Sequence, residues 1–476
     1  MPVAALALFL LLAPSDLGEA LYSRHCAVCH GEEGRAQGSI PRRLRPRPRD
    51  FGSGAFRMVR TENGVPTDAD LAGVIRRGMP GSAMPSFGWM SDGEVEALVR
   101  HVRRLAVDGL AETVAREAEW WEGRVMTPEE ARAEAEERLT PGNPVDVTVP
   151  ADPDGALRAR GARLYAVKCQ ACHGPDGSGL AVRPRWSDGR PVYARDFTAG
   201  VMKGGAELPD LIRRIRAGLP GSGMPPTTFD RSEDAAAVAL HVRGLLRPGA
   251  EDRLVQTRRT IPARRVERFA GDASDWSGNE VSLVLAPMVW SDRAIVEAAV
   301  EAIHDGERVA IRIRWEDESR DDDALRGARL PDATALQWSS DAADPLVGMG
   351  AANRPHDVWR WQAFRPEDVP GWLDLVQAGG ASGHGLPPSA EALRADGAEG
   401  EAVLEETGRS LDTTAAWRDG VWSVVLRRPL DVREEGAIAL APGGRVAVAL
   451  AIWNGAAGDQ GLRKSITIWH ELTLDD

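Results

Sequence analysis

The sequence predicts a multidomain chain in which two small all-α domains precede an all-β sandwich. The first observation is an internal repeat. "GEALYSRHCAVCHG" from Gly18 returns as "GARLYAVKCQACHG" from Gly161, "RDFGSGAFR" from Arg49 as "RDFTAGVMK" from Arg195, and "DLAGVIRRGMPGSAMP" from Asp70 as "DLIRRIRAGLPGSGMP" from Asp210. The second is a change of character after about Ile261, beyond which eleven of the fifteen Trp lie. The third is the period-two alternation of segments such as "ERVAIRIRWED", "GVWSVVLRRPL" and "RVAVALAIWNG", which is the pattern of half-buried strands.

Each copy reads as a helix, a Cys/His string, a Pro/Gly/Arg-rich loop, a short helix, a Met-containing loop and a closing helix. The resulting order is a signal at 1–13, a first helical domain at 14–107, a helical linker at 108–150, a second helical domain at 151–248, a linker at 249–264 and the sandwich at 265–476. The linker carries "TPEEARAEAEERL", a capped helix start, and offers Trp120 and Trp121 as a cover for a cofactor edge. The apolar run Val3 to Ala13 suits the core of a secretory signal although no Lys or Arg precedes it, and it is far short of the roughly 20 residues of a membrane span. A formal charge of −13 argues against nucleic acid as a partner.

All four Cys fall in two Cys-x-x-Cys-His strings, Cys26–Cys29–His30 and Cys169–Cys172–His173. A bare Cys-x-x-Cys also suits a redox dithiol or half a zinc site; the added His selects covalent haem attachment. Two thiols on one turn add to the vinyl groups, and the adjacent His becomes the proximal ligand. Two haem c groups are therefore expected, in an exported and hence periplasmic protein or one on the outer face of the cytoplasmic membrane.

The sixth iron ligand is expected from the loop before each closing helix. Copy 1 offers Met79, Met84 and Met90; the repeat selects Met84, which aligns with Met224 in "GSxMP" while Met79 aligns with Leu219. A thioether on iron raises the potential. Two filled axial positions favour electron transfer over catalysis, and so count against a dihaem peroxidase. His25 aligns with Lys168 and reads as a surface residue; His101 and His241 read as packing residues of the closing helices; the Arg run from Arg42 to Arg49 suits haem propionates, a partner's acidic face or a solvated loop. The order of elements resembles the class I cytochrome c fold, in which Gly18 and Gly161 stand where the first and last helices cross.

In the C-terminal region, "LPDATALQW", "GMGAANRPHDVWRWQA", "GVWSVVLRRPL" and "AIWNGAAGDQGLRKSITIWHELTL" are similar to the haem-b-binding γ subunit of ethylbenzene dehydrogenase, a family that also serves dimethylsulfide dehydrogenase and the selenate and chlorate reductases. The resemblance covers about residues 265–476 and implies one haem b held by Met349 and Lys464. The residues add support, because only three Lys occur in the chain and an Arg cannot lose its proton to bind iron. Met288 is the rival Met and reads as core. The two leading helical domains also resemble the cytochrome subunits that accompany respiratory nitrate reductases and nitrite oxidoreductases. The resemblance implies as partners the molybdopterin and iron–sulfur subunits of an oxidoreductase of the dimethylsulfoxide reductase type, and a quinol-linked membrane subunit or a soluble cytochrome. The competing expectation is a haem-free, ligand-binding sandwich tethered to a dihaem cytochrome.

Overall fold

The structure is a computed structural model that describes residues 14–150, 155–179, 194–200, 202–247, 255–269, 275–291, 293–322, 330–342, 344, 356–364, 389–395, 404–406, 411–432 and 436–476. Met349 and residues 1–13 of the expected signal lie outside the described residues.

Copy 1 comprises α1 (Pro14–His25), α2 (Ala27–His30), α3 (Ser39–Arg43), α4 (Asp68–Arg77), α5 (Asp92–Glu117) and α6 (Pro128–Arg138). Side chains close the helix starts: Thr67 with Asp70, Ser91 with Glu94 and Thr127 with Glu130 each form a reciprocal capping box. Copy 2 comprises α7 (Gly155–Lys168), α8 (Gln170–His173), α9 (Leu208–Ala217) and α10 (Asp234–Leu245). In both copies the first and closing helices cross at a glycine. A Cβ on Gly18 would run into the Ala97 carbonyl, and one on Gly161 into the Ala237 carbonyl.

The segment expected as a linker is built differently. The helix α5 continues to Glu117, past the expected boundary at 107, and ends in a π-helical turn at Ala118–Glu122. The chain then turns and α6 packs back along α5, tied by Arg132 to Asp108 and Arg138 to Glu117, with Leu139 in the copy 1 core. It is a hairpin arm of copy 1. Trp120 and Trp121 are 78% and 79% exposed.

The C-terminal region carries β1 (Thr260–Arg265), β2 (Val281–Val284), β3 (Ala286–Pro287), β4 (Glu297–His304), β5 (Arg308–Glu316), β6 (Ala333–Ser339), β7 (His356–Gln362), β8 (Ser389–Ala395), β9 (Leu404–Glu406), β10 (Asp412–Arg418), β11 (Val421–Pro429), β12 (Arg445–Trp453), β13 (Ser465–Ile466) and β14 (His470–Leu474). Two separate sheets were expected; the strands instead form one 14-stranded, barrel-like sheet. The reason is β1, which pairs in parallel with both β14 and β4 and so joins the two halves by hydrogen bonds. Alternate residues point inward, and one core collects Ile311, Ile313 and Trp315 of β5, Trp338 of β6, Trp359 and Trp361 of β7, and Trp422 and Val424 of β11. Arg428 is fully buried there, paired with Asp357 at 2.8 Å and lying over the Trp359 ring.

The three bodies are in contact. Copy 1 packs on the β domain through a mixed core of Leu44, Ala83, Met288 and Ile466, with Cys29 and Ile40 against it. Arg24 donates to Asp344 at 2.9 Å and Asp341 at 3.3 Å across the same boundary.

Candidate haem sites

In copy 1 a cavity opens between α2, α4 and the Met loop. Its walls include Cys26, Cys29, His30, Phe51, Ile75 and Met84. His30 is fixed on both sides. Its ring stacks on Phe51 at 4.6 Å, and its Nδ1 lies 3.0 Å from the Arg49 carbonyl. Burial lowers its pKa, which the carbonyl partly opposes. The neutral tautomer with Nδ1–H donating leaves Nε2 as a ligand atom. Burial also pushes the Cys26 and Cys29 thiols up to about 12.

Copy 2 repeats the parts. His173 stacks on Phe197 at 4.3 Å; its Nδ1 has the Arg195 carbonyl as neighbour but in a looser geometry that leaves no full hydrogen bond. Tyr22 donates to the Gly31 carbonyl at 2.7 Å, as Tyr165 does to Gly174 at 2.8 Å. Both Met loops are knotted alike: the backbone N–H of Met79 donates to the Met84 carbonyl at 3.1 Å, and that of Leu219 to the Met224 carbonyl at 3.0 Å. Met90 is in the copy 1 core, while Met79 lines the cavity beside Met84, so lining alone does not separate those two. His101 and His241 pack on Tyr22 and Tyr165 at 4.8 and 4.9 Å.

Between the copies lies a feature that the sequence reading did not assign. Arg49 donates to the Gly221 carbonyl at 2.8 Å, and its repeat partner Arg195 donates to the Gly81 carbonyl at 2.6 Å. Gly81 and Gly221 are themselves repeat partners, so the copies clasp each other about a local two-fold axis. Arg57 and its counterpart Lys203 sit in the same place. Burial lowers the pKa of Lys203 strongly, and Arg195, Arg57 and Arg49 lower it further. Arg57 and Arg195 are brought down to about 10, chiefly by burial. Arg49 Nε, Arg57 Nε, and Arg195 Nε and Nη1 are buried without a partner. Three guanidinium groups and an amine gathered together call for anions, and haem carboxylates supply that charge. The residues present therefore fit haem in both copies. Of the Arg run, Arg47 and Arg49 line the cavity while Arg42 and Arg43 face solvent. The missed pair, Arg57 and Lys203, was visible only as a basic residue closing both copies of the "RDF" block.

In the β domain, Lys464 is 8% exposed. Its Nζ lies 4.8 Å over the Trp453 ring, and burial, then Arg360, brings its amine down to about 8. A desolvated amine so close to neutrality suits a metal ligand, so the donor fits a haem. Its carbonyl accepts from the Met288 N–H at 2.8 Å, and the Met288 carbonyl accepts from the Arg45 N–H at 3.4 Å. Lys464 is thus two hydrogen bonds from the loop that lines the copy 1 cavity. Met288 is buried in the mixed core, as expected of a packing residue.

A helix, Cys-x-x-Cys-His turn, Met loop and crossing closing helix, present twice, define a c-type cytochrome carrying a β-rich C-terminal domain. Family models agree region by region: 13–102 matches cytochrome c oxidase, cbb3-type, subunit III; 158–245 matches cytochrome c; and 273–465 matches ethylbenzene dehydrogenase. The chain is similar to the "Putative respiratory nitrate reductase heme subunit ORF7" of Haloferax mediterranei, 27% identical over 181 residues, covering 38% of this chain and 56% of that protein. It is also similar to the dimethylsulfide dehydrogenase subunit gamma of Rhodovulum sulfidophilum, 27% identical over 224 residues, 43% of this chain and 77% of that one. A solved chain of the reducing HAO-like protein complex of Kuenenia stuttgartiensis superposes with a TM-score of 0.40 at 28% identity, covering 49% of this chain and 96% of that one. No described helix is long and apolar enough to cross a membrane.

Proposed function

We propose that this chain is an electron-transfer subunit, not itself catalytic, that connects a molybdenum oxidoreductase to a respiratory chain. It carries two class I, all-helical cytochrome c domains over 14–107 and 151–248 and a haem-b domain over 265–476. Cys26, Cys29, Cys169 and Cys172 attach two c haems; His30 with Met84 and His173 with Met224 fill their axial positions; Met349 and Lys464 hold one b haem. The haems supply one-electron chemistry when bound. The chain's residues orient the ligands, exclude water and neutralise carboxylates. The observation that supports this reading is the packing of Cys29 against Met288 and Ile466, with the Met288 backbone hydrogen-bonded both to Lys464 and to the Arg45 loop.

The partners are the molybdopterin and iron–sulfur subunits on one side and a quinol-linked complex or soluble cytochrome on the other, in the periplasm or on the outer membrane face. The similarity to a nitrate reductase haem subunit and a dimethylsulfide dehydrogenase γ subunit supports this. A pyridine haemochrome spectrum of the purified protein tests it: two c haems and one b haem per chain are expected, and Lys464→Arg removes the b component alone. A spectrum with c haem only would leave the β domain as a haem-free module and overturn the relay.

A further inference from the structure

Copies 1 and 2 present the same face, and in copy 1 it is covered. There Cys29 and Ala83 pack on Met288 and Ile466 of the β domain, while Arg24 pairs with Asp341 and Asp344. His25, beside Arg24, lies near the same two carboxylates. The repeat supplies the corresponding positions in copy 2: Cys172 for Cys29, Gly223 for Ala83, Val167 for Arg24 and Lys168 for His25. The local architecture is kept, since the His25 ring stands 5.6 Å from Trp89 and the Lys168 Nζ stands 5.6 Å from the equivalent Phe229. The difference is exposure. Cys172, Gly223 and Pro225 are exposed, and Val167 is 81% exposed.

We propose that this face of copy 2 is the docking surface for an external electron carrier, a redox protein presenting an apolar patch with carboxylates beside it. The inference rests on the relay reading. The partner's chemistry is templated by the β domain, which meets copy 1 with Met288 and Ile466 next to Asp341 and Asp344. On copy 2, Val167 and the Cys172 edge offer the apolar surface, and Lys168 puts a cation where His25 meets those acids. A competing exposed patch, Trp120, Trp121 and Val125, sits on the arm between α5 and α6 among Glu117, Glu119 and Glu122, and it lines no part of the copy 1 cavity.

The test uses the full-length reduced holoprotein with plastocyanin, an acidic blue-copper protein, as the probe; the electron lost by the ferrous haem of copy 2 reduces copper(II) to copper(I). Val167→Asp with Lys168→Glu is expected to slow this bimolecular step about tenfold and to flatten its salt dependence, with haem content and visible spectrum unchanged. An unchanged rate in that variant, or a slowed rate in Trp120→Ala with Trp121→Ala instead, overturns the proposal. Haemochrome analysis of the same samples separates the two readings: a missing b component sinks the relay, while the rate still reports on copy 2.

Discussion

The two cytochrome copies share a frame and differ in what surrounds it. Each has a glycine helix crossing, a tyrosine-clamped turn, an aromatic-stacked histidine and a knotted Met loop. Copy 1 adds capping boxes, a folded-back arm and a β domain packed on its Cys29 side. Copy 2 has Glu207 with a Pro start and Glu233 where copy 1 has side-chain caps, and its Cys172 is exposed among the described residues. The lesson is that duplication kept the parts that hold a haem and diverged in the parts that choose neighbours. In the proposed relay copy 1 is the inner station and copy 2 the outer one, although the chain places copy 2 between copy 1 and the β domain.

The strongest way to break this comparison is to empty each copy in turn. Cys26→Ala with Cys29→Ala, and Cys169→Ala with Cys172→Ala, should each halve covalent haem on a denaturing gel. Only the copy 1 variant is expected to release the β domain on limited proteolysis, because only there does the Cys face form an interdomain core. Equal release from both would remove the distinction. The helix crossings should then behave as equals: Gly18→Val and Gly161→Val force a side chain against backbone and are expected to cost about 1–3 kcal/mol or more each, seen in thermal melts of the holoprotein.

A smaller, asymmetric effect is expected at the clasp. Arg49 and Arg195 make equivalent hydrogen bonds, but Arg195 also stacks on Trp290 of the β domain at 4.2 Å. Arg195→Ala should therefore exceed Arg49→Ala by about 0.5–2 kcal/mol in the same melts. Equal losses would show that the stack contributes nothing.

The finest distinction is pH dependence at the docked face. Burial, then Arg24, lowers the His25 pKa to about 4, while Asp344, Glu94 and Asp341 pull it upward. The unfolded His binds its proton near pH 6.5, so between about 6.5 and 4 the unfolded state holds more protons and stability falls as the pH falls. His25→Gln should flatten that limb of the acid titration of copy 1. Copy 2 carries Lys168 and no imidazole at that place, so Lys168→Gln should leave the limb intact.

The frame was legible because its parts are local. Cys26–His30 and Cys169–His173 are short strings with one chemistry, and the repeat alone singled out Met84 over Met79, which the cavity walls do not. Strand content was legible from alternation in β5, β11 and β12, but alternation names faces and not neighbours. It could not show that β1 bridges β14 and β4 and fuses the sheet. The fold-back of α6 depends on Leu139 finding the copy 1 core, and the Arg49, Arg57, Arg195 and Lys203 knot on two distant segments meeting. Such contacts have no sequence period. Lys464 stood out by rarity; Met349 rests on resemblance, outside the described residues.

The mixed core around Cys29 also dictates a sequence of events in making the protein. Domains form in the order in which they leave the exit channel, and copy 1 leaves first while the segments carrying Met288 and Ile466 leave later. Joining a thiol to a vinyl group needs room for both porphyrin and ligase, and the docked β domain removes that room at Cys29. With haem attached as proposed, joining at copy 1 is expected to precede closure of the C-terminal third over Cys29, whereas the exposed Cys172 leaves the second attachment free of that deadline.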